Sequence, residues 1–181
     1  MSFLGIIALI SGVIGVWLTI KESIWCWPVS IMSVIASAVE FYEARLFGDM
    51  GLQVFYLGAA IYGWYFWDKN KEKEFKVEKV PLKLISVLII ATVVLTFLFY
   101  FLIGFFKGDK VLFDAILTAC SLTATYMMTK KWVENWFAWV LIDGAYIVLY
   151  GVKFMWLFAV LYLFFTIIAF YGWLKWRKAV L

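Results

Sequence analysis

Tyr62-Gly63-Trp64-Tyr65-Phe66-Trp67 returns near the end of the chain as Tyr171-Gly172-Trp173-Leu174-Lys175-Trp176. The offset between the copies lays residues 3–67 over 112–176 without a gap. It pairs Lys21 with Lys130, Trp27 with Trp136, Val39 with Val148, Leu52 with Leu161 and Phe55 with Phe164. Few positions are identical, so the weight rests on the ungapped register and the shared Tyr-Gly-Trp-x-x-Trp ending. Two copies of one membrane unit form the architecture expected of a transporter, because cargo can be held where the copies meet.

Composition sets the solvent. Of 181 residues, 66% are hydrophobic, 22% aromatic and only 15% charged. A soluble domain of this length cannot cover so much apolar surface, so the chain is read as living in lipid. The first apolar stretch is as long as a span and more spans follow it, which is not the pattern of a cleavable signal. Cys26 and Cys120 both fall in apolar segments and read as small hydrophobes with no disulfide. Histidine is absent, which removes the commonest general base and the commonest zinc ligand. No cofactor or metal is expected.

Apolar runs of about spanning length occupy residues 3–20, 24–43, 50–67, 84–105, 111–129, 133–151 and 154–174. The fold predicted is an all-α membrane protein with seven transmembrane helices in a 3+1+3 arrangement. Residues 1–67 and 111–181 form two triple-helix repeats. Residues 68–110 hold a cytoplasmic loop and a linker transmembrane helix, read as plain and without a polar stripe. An odd spacer makes the two repeats parallel. Acids alternate with lysines through Asp68–Lys79, which reads as a solvated loop and not as a polybasic lipid site.

Charge bias orients the bundle. Lys21, the lysines between Lys69 and Lys83, Lys130, Lys131, Lys175, Arg177 and Lys178 fall on one side; Arg45, Lys107, Lys110 and Lys153 fall on the other. Basic residues concentrate in the cytoplasm, so the N-terminus is placed outside and the C-terminus inside. The net charge of +4 is thereby a topology signal, and no nucleic-acid partner is implied.

Polar residues inside the spans carry the functional reading. A carboxylate at mid-span, as Asp143 is, costs about 2.5–3.5 kcal/mol on insertion scales. Trp132, Trp136, Trp139, Asp143, Tyr146 and Tyr150 recur at steps of three and four and are expected on one helical face. Aromatic rings around a buried acid suit an organic cation. On span five, Asp114, Thr118, Ser121 and Thr125 make a second stripe, suggesting a hydrophilic path; such hydroxyls also bond their own i−4 carbonyls. Ser30, Ser33, Ser37 and Glu40 form a third stripe on span two, while Gln53 and Tyr56 stand on span three. Pro28 suggests a kink near one end of span two. Gly5, Gly12 and Gly15 suggest close helix packing, as do Gly63 and Gly172.

Trp27-Pro28, Phe41-Tyr42, Asp49-Met50, Leu52-Gln53 and Tyr62-Gly-Trp-x-x-Trp67, followed by Asp114-Ala115, Glu134-Asn135-Trp136-x-x-Trp139 and the closing Tyr-Gly-Trp, resemble the PnuC family of bacterial vitamin transporters. The resemblance covers nearly the whole chain. It implies a SWEET-like fold in the bacterial inner membrane, and facilitated diffusion of an unphosphorylated vitamin that a cytoplasmic kinase then traps. Nicotinamide riboside is the substrate class implied first; relatives carry thiamine or riboflavin. Gln53 and Tyr56 match the family's Gln-x-x-Tyr-like positions, and Trp139 matches the aromatic of its Trp-x-x-x-Asn-like tract. Position 143 departs, with Asp where Asn is expected, and this brings thiamine close behind, since its aminopyrimidine would donate to a carboxylate.

The substrate-binding set expected is Gln53, Tyr56, Asp114, Thr118, Ser121, Trp136, Trp139, Asp143 and Tyr146. An intramembrane enzyme built on Asp114 and Asp143 is the remote alternative, for no protease-like motif, nucleophile elbow or metal cluster accompanies them. A signalling or scaffold protein would not need inward polar stripes. The partners expected are a small-molecule vitamin and the lipid bilayer, with a homo-oligomer left open.

Overall fold

The computed structural model describes residues 3–43, 47–72, 75–105, 111–152 and 154–181. Lys73 and the cations assigned outside, Arg45, Lys107, Lys110 and Lys153, lie outside those residues. The chain is all-helical: α1 Phe3–Ile20, α2 Cys26–Glu43, α3 Phe47–Lys69, α4 Leu82–Phe105, α5 Val111–Thr129, α6 Glu134–Val152 and α7 Trp156–Val180. Helix is the form that satisfies every backbone polar group within one apolar segment. Five of the seven, α1, α4, α5, α6 and α7, are long and apolar enough by composition to cross a membrane. The remaining two, α2 and α3, are as long but carry the Ser30–Glu40 stripe and Gln53.

Two compact units divide the chain, Met1–Lys76 and Val77–Leu181. In the first, α2 packs on both α1 and α3; in the second, α5 packs on α4 and α6, and α6 on α7. The first unit is closed by small residues. Gly12 and Gly15 lie against the Ser33 and Ser30 hydroxyls, so that a Cβ at Gly15 would come within 2.8 Å of Ser30 Oγ. Ser33 Oγ donates to the Ala8 carbonyl at 2.7 Å. The glycines act as close-packing residues, and Ser30 and Ser33 face α1. Pro28 falls in the first turn of α2, where a missing N–H removes no helical bond; the expected kink of span two is not needed.

The repeat is visible as geometry inside each unit. Glu22 and Lys131, equivalent positions, both take left-handed φ of 56° and 53°. In the turns they close, Ser23 N–H donates to the Leu18 carbonyl at 3.0 Å and Trp132 N–H to the Met127 carbonyl at 3.1 Å. Glu22 N–H and Lys131 N–H likewise donate to Thr19 and Met128, at 2.9 and 3.0 Å. This is the Schellman arrangement that satisfies the last carbonyls of a helix. The shared Tyr-Gly-Trp-x-x-Trp ending has a common job as well. Trp27 lies on Gly63, and Trp67 meets its ring edge-on at 5.4 Å and 90°. Trp136 lies on Gly172 and meets Trp176 at 5.3 Å and 88°.

Two expectations change in the second unit. Part of the charged Asp68–Lys79 stretch is not a free solvated loop. Glu78 pairs with the α5–α6 turn in a parallel bridge, its N–H donating to the Lys131 carbonyl at 3.1 Å and its carbonyl accepting from Val133 at 2.9 Å. Val80 N–H donates to Glu134 Oε2 at 2.9 Å, and Val80 packs with Met127 and Trp132. Nor is α4 wholly apolar in function. Thr92 Oγ1 lies 2.8 Å from Thr123 Oγ1 of α5, a polar link that a scan for stripes passes over because it is a single residue wide.

Candidate functional site

Trp139, Asp143, Tyr146 and Tyr150 share one face of α6, at steps of four, three and four. Asp143 is 7% exposed, and among the described residues neither a cation nor a hydrogen-bond donor is paired with its carboxylate. Trp139 and Tyr146 are half-buried against Leu117, Ala124 and Ile142, the cluster that joins α5 to α6. The α5–α6 contact is less extensive than its equivalent between α1 and α2. The substitutions explain the difference. Where Ser30 abuts Gly15 in the first copy, Trp139 faces the Ala124 region in the second. An indole cannot follow a hydroxyl into so close an approach, so this part of the second copy is held apart.

Trp132 does not belong to the α6 face. Lys131 turns the chain through a left-handed residue, and Trp132 falls in the bridge before the helix, packed with Val80 and Met127. Trp136 does lie on α6, but is 2% exposed and seated on Gly172. Its indole Nε1 has no hydrogen-bond partner among the described residues, and the same holds for Trp27 Nε1.

On α5, Thr118, Ser121 and Thr125 are all buried. Thr125 Oγ1 donates to the Ser121 carbonyl at 2.8 Å, so that hydroxyl is committed to its own helix. Asp114 stands in the first turn of α5, half-buried, where the positive end of the helix dipole favours a carboxylate. A groove of about 860 Å³ runs between α4, α5 and α6, lined by Tyr100, Phe113, Ile116, Ala145, Leu149 and other apolar residues. Among the described residues no carboxylate lines it.

In the first unit, α2 and α3 enclose a groove of about 320 Å³ in which Gln53 is the amide among Val34, Ala38, Tyr42, Met50 and Leu57. Tyr56, one turn further along α3, is half-buried and outside that lining.

Two residues not foreseen stand out. Asn135 is fully buried; its Nδ2 donates to the Trp132 carbonyl at 2.6 Å and its Oδ1 has no partner among the described residues. Tyr162 of α7 stacks on Tyr146 at 4.6 Å and 25°, and on Tyr150 at 5.5 Å and 18°. A signal for Tyr162 existed in the sequence, because the repeat aligns it with Gln53.

Residues 2–178 match the family model described as nicotinamide mononucleotide transporter. The chain belongs to the PnuC family. It is 26% identical over 204 residues to the nicotinamide riboside transporter PnuC of Escherichia coli (strain K12), covering 97% of this chain and 85% of that one. It is 30% identical over 145 residues to the riboflavin/roseoflavin transporter RibM of Streptomyces davaonensis, covering 74% and 65%. A crystal structure of the vitamin B3 transporter PnuC superposes with a TM-score of 0.79 at 20% identity, covering 99% of this chain and 82% of that one; at that identity the likeness speaks for the fold. As a PnuC-family member the chain is a multi-pass membrane transporter for a vitamin, and the intramembrane-enzyme alternative falls away.

Proposed function

We propose that this PnuC-family transporter carries an unphosphorylated cationic vitamin, nicotinamide riboside, by facilitated diffusion across the bacterial inner membrane. The observation that carries the reading is Asp143, a buried carboxylate that has no partner among the described residues, on a face flanked by Trp139 and Tyr146. Leaving such an acid uncompensated inside a span costs several kcal/mol. A cationic ring would offset that cost through its charge and through the aromatic faces beside it. Gln53 is proposed as the amide that orients the cargo, with Tyr56, Asp114, Thr118 and Ser121 along its route. Alternating access would follow from a 3+1+3 arrangement, in which a conformational exchange exposes Asp143 first to one side and then to the other. A cytoplasmic kinase would keep the flow inward.

The orientation proposed, N-terminus outside, has support in four basic side chains placed over rings one turn earlier. Lys21 lies over Trp17, Lys69 over Tyr65, Lys130 over Tyr126 and Arg177 over Trp173, at 5.1–5.6 Å. All stand at the C-terminal ends of α1, α3, α5 and α7, where cations are favoured by the dipole and by the cytoplasmic interface.

A second reading, thiamine, is favoured by Asp143 itself, which can only accept hydrogen bonds when ionised. Titration of the purified protein with nicotinamide riboside, thiamine and riboflavin separates these substrates. Asp143→Asn should weaken nicotinamide riboside binding at least tenfold, or reverse the order of the two cationic vitamins. Equal affinities in variant and wild type would remove Asp143 from the site. Uptake into liposomes should persist when the proton gradient is collapsed; uptake that stops would replace facilitated diffusion with proton coupling.

A further inference from the structure

The second and third helices of each copy carry an equivalent pair of positions. In the first copy these are Val34 and Gln53, which line the same groove. In the second the equivalents are Asp143 and Tyr162, and Tyr162 stacks on Tyr146, one turn from Asp143 along the same α6 face. The ring contacts here differ from the edge-on tryptophan pairs. Tyr146, Tyr150, Tyr162 and Phe158 stack with interplanar angles of 18° to 25°, crossing from α6 to α7.

We propose that Tyr162 is a substrate-selecting residue, its ring standing on α7 against Tyr146, one turn from Asp143, and presenting a flat face to the cargo's heterocycle. This rests on the Asp143 reading above. Offset stacking is a preferred geometry for aromatic pairs, and a run of near-parallel phenol rings can be extended by one further flat ring. A charged ring continuing the stack would sit beside the one carboxylate on that face. The equivalent position carries an amide in the first copy and a phenol in the second.

The test is a titration of the purified full chain with nicotinamide riboside, alongside thermal unfolding of each variant. Tyr162→Phe keeps the ring and should bind within about 3-fold of wild type. Tyr162→Met keeps bulk but loses the flat face and should bind about 5- to 10-fold more weakly, the size of one aromatic stacking contact. Phe158→Met removes a ring from the same stack one turn away and should stay within about 2-fold. Should Tyr162→Met not fold, Tyr162→Gln, copying the equivalent residue of the first copy, carries the same expectation. Unchanged affinity in Tyr162→Met, or in Tyr162→Gln where that variant replaces it, overturns the inference. So does an equal loss in Phe158→Met, which would mean that the stack merely supports the helices. A wild type that does not bind nicotinamide riboside overturns the functional reading, and this inference falls with it.

Discussion

Replacing Gly172 with alanine should destabilise the protein although alanine is the better helix former. A Cβ there would lie 2.7–2.9 Å from Cδ2, Cε3 and Cε2 of Trp136, where two carbons prefer about 3.5–4.0 Å. One side must retreat by roughly 0.8 Å to reach that separation. The indole has little room, being 2% exposed with Trp176 edge-on behind it at 5.3 Å. Overpacking of this kind costs about 1–3 kcal/mol, against a gain of about 1 kcal/mol from helix propensity. Gly144, within α6, has nothing within 4 Å of its ideal Cβ, so Gly144→Ala keeps only the gain. The two variants should thus differ by the overpacking cost alone, about 1–3 kcal/mol, or roughly 2–12 °C in unfolding midpoint for a chain of this size. The assay is thermal unfolding of the detergent-purified protein, with both variants compared at one scan rate. Adding Trp136→Leu to Gly172→Ala should recover part of the loss as a favourable coupling. A Gly172→Ala protein as stable as Gly144→Ala would refute the seating of Trp136 on α7. It would also remove the explanation offered for the repeated motif, since Gly63 and Trp27 repeat the contact.

Two further outcomes are expected. Hydrogen exchange should find the Val80 and Val133 amides protected, because they donate to Glu134 and to the Glu78 carbonyl at 2.9 Å each. Glu134→Ala should expose Val80 and cost about 1.5–3 kcal/mol, the worth of a hydrogen bond to a charged group; exchange as fast as at the exposed Lys79 would return the segment to a free loop. A double-mutant cycle of Thr92→Val and Thr123→Val should show a coupling of about 0.6 kcal/mol, the average for interhelical hydrogen bonds in membranes. Additive effects would mean that the 2.8 Å hydroxyl contact contributes nothing between α4 and α5.

Much of the fold was legible because lipid leaves a long apolar segment few choices. The seven apolar runs agree with the seven helices, apart from shifts at their ends. The repeat register aligns Glu22 with Lys131, and both residues take the same left-handed turn conformation. Periodicity placed Trp139, Asp143 and Tyr146 on one face. It could not tell that Trp132 leaves the helix, because a single left-handed residue at Lys131 interrupts the count without changing composition.

The amino-acid sequence by itself determined that the chain is helical, doubled, and burdened with an acid in an apolar span. Those properties follow from local chemistry: the cost of unpaired backbone in lipid and the spacing of side chains along one axis. Tertiary structure decided what stands opposite each residue. It placed Ser33 against α1, Val80 on the α5–α6 turn and Tyr162 against Tyr146. The angle of a residue about its own helix is fixed by its neighbours in sequence. The identity of its partner depends on how closely two helices approach, which is set by the bulk of every side chain between them. Trp139 in place of Ser30 is one such change, and it accompanies the less extensive contact of α5 with α6.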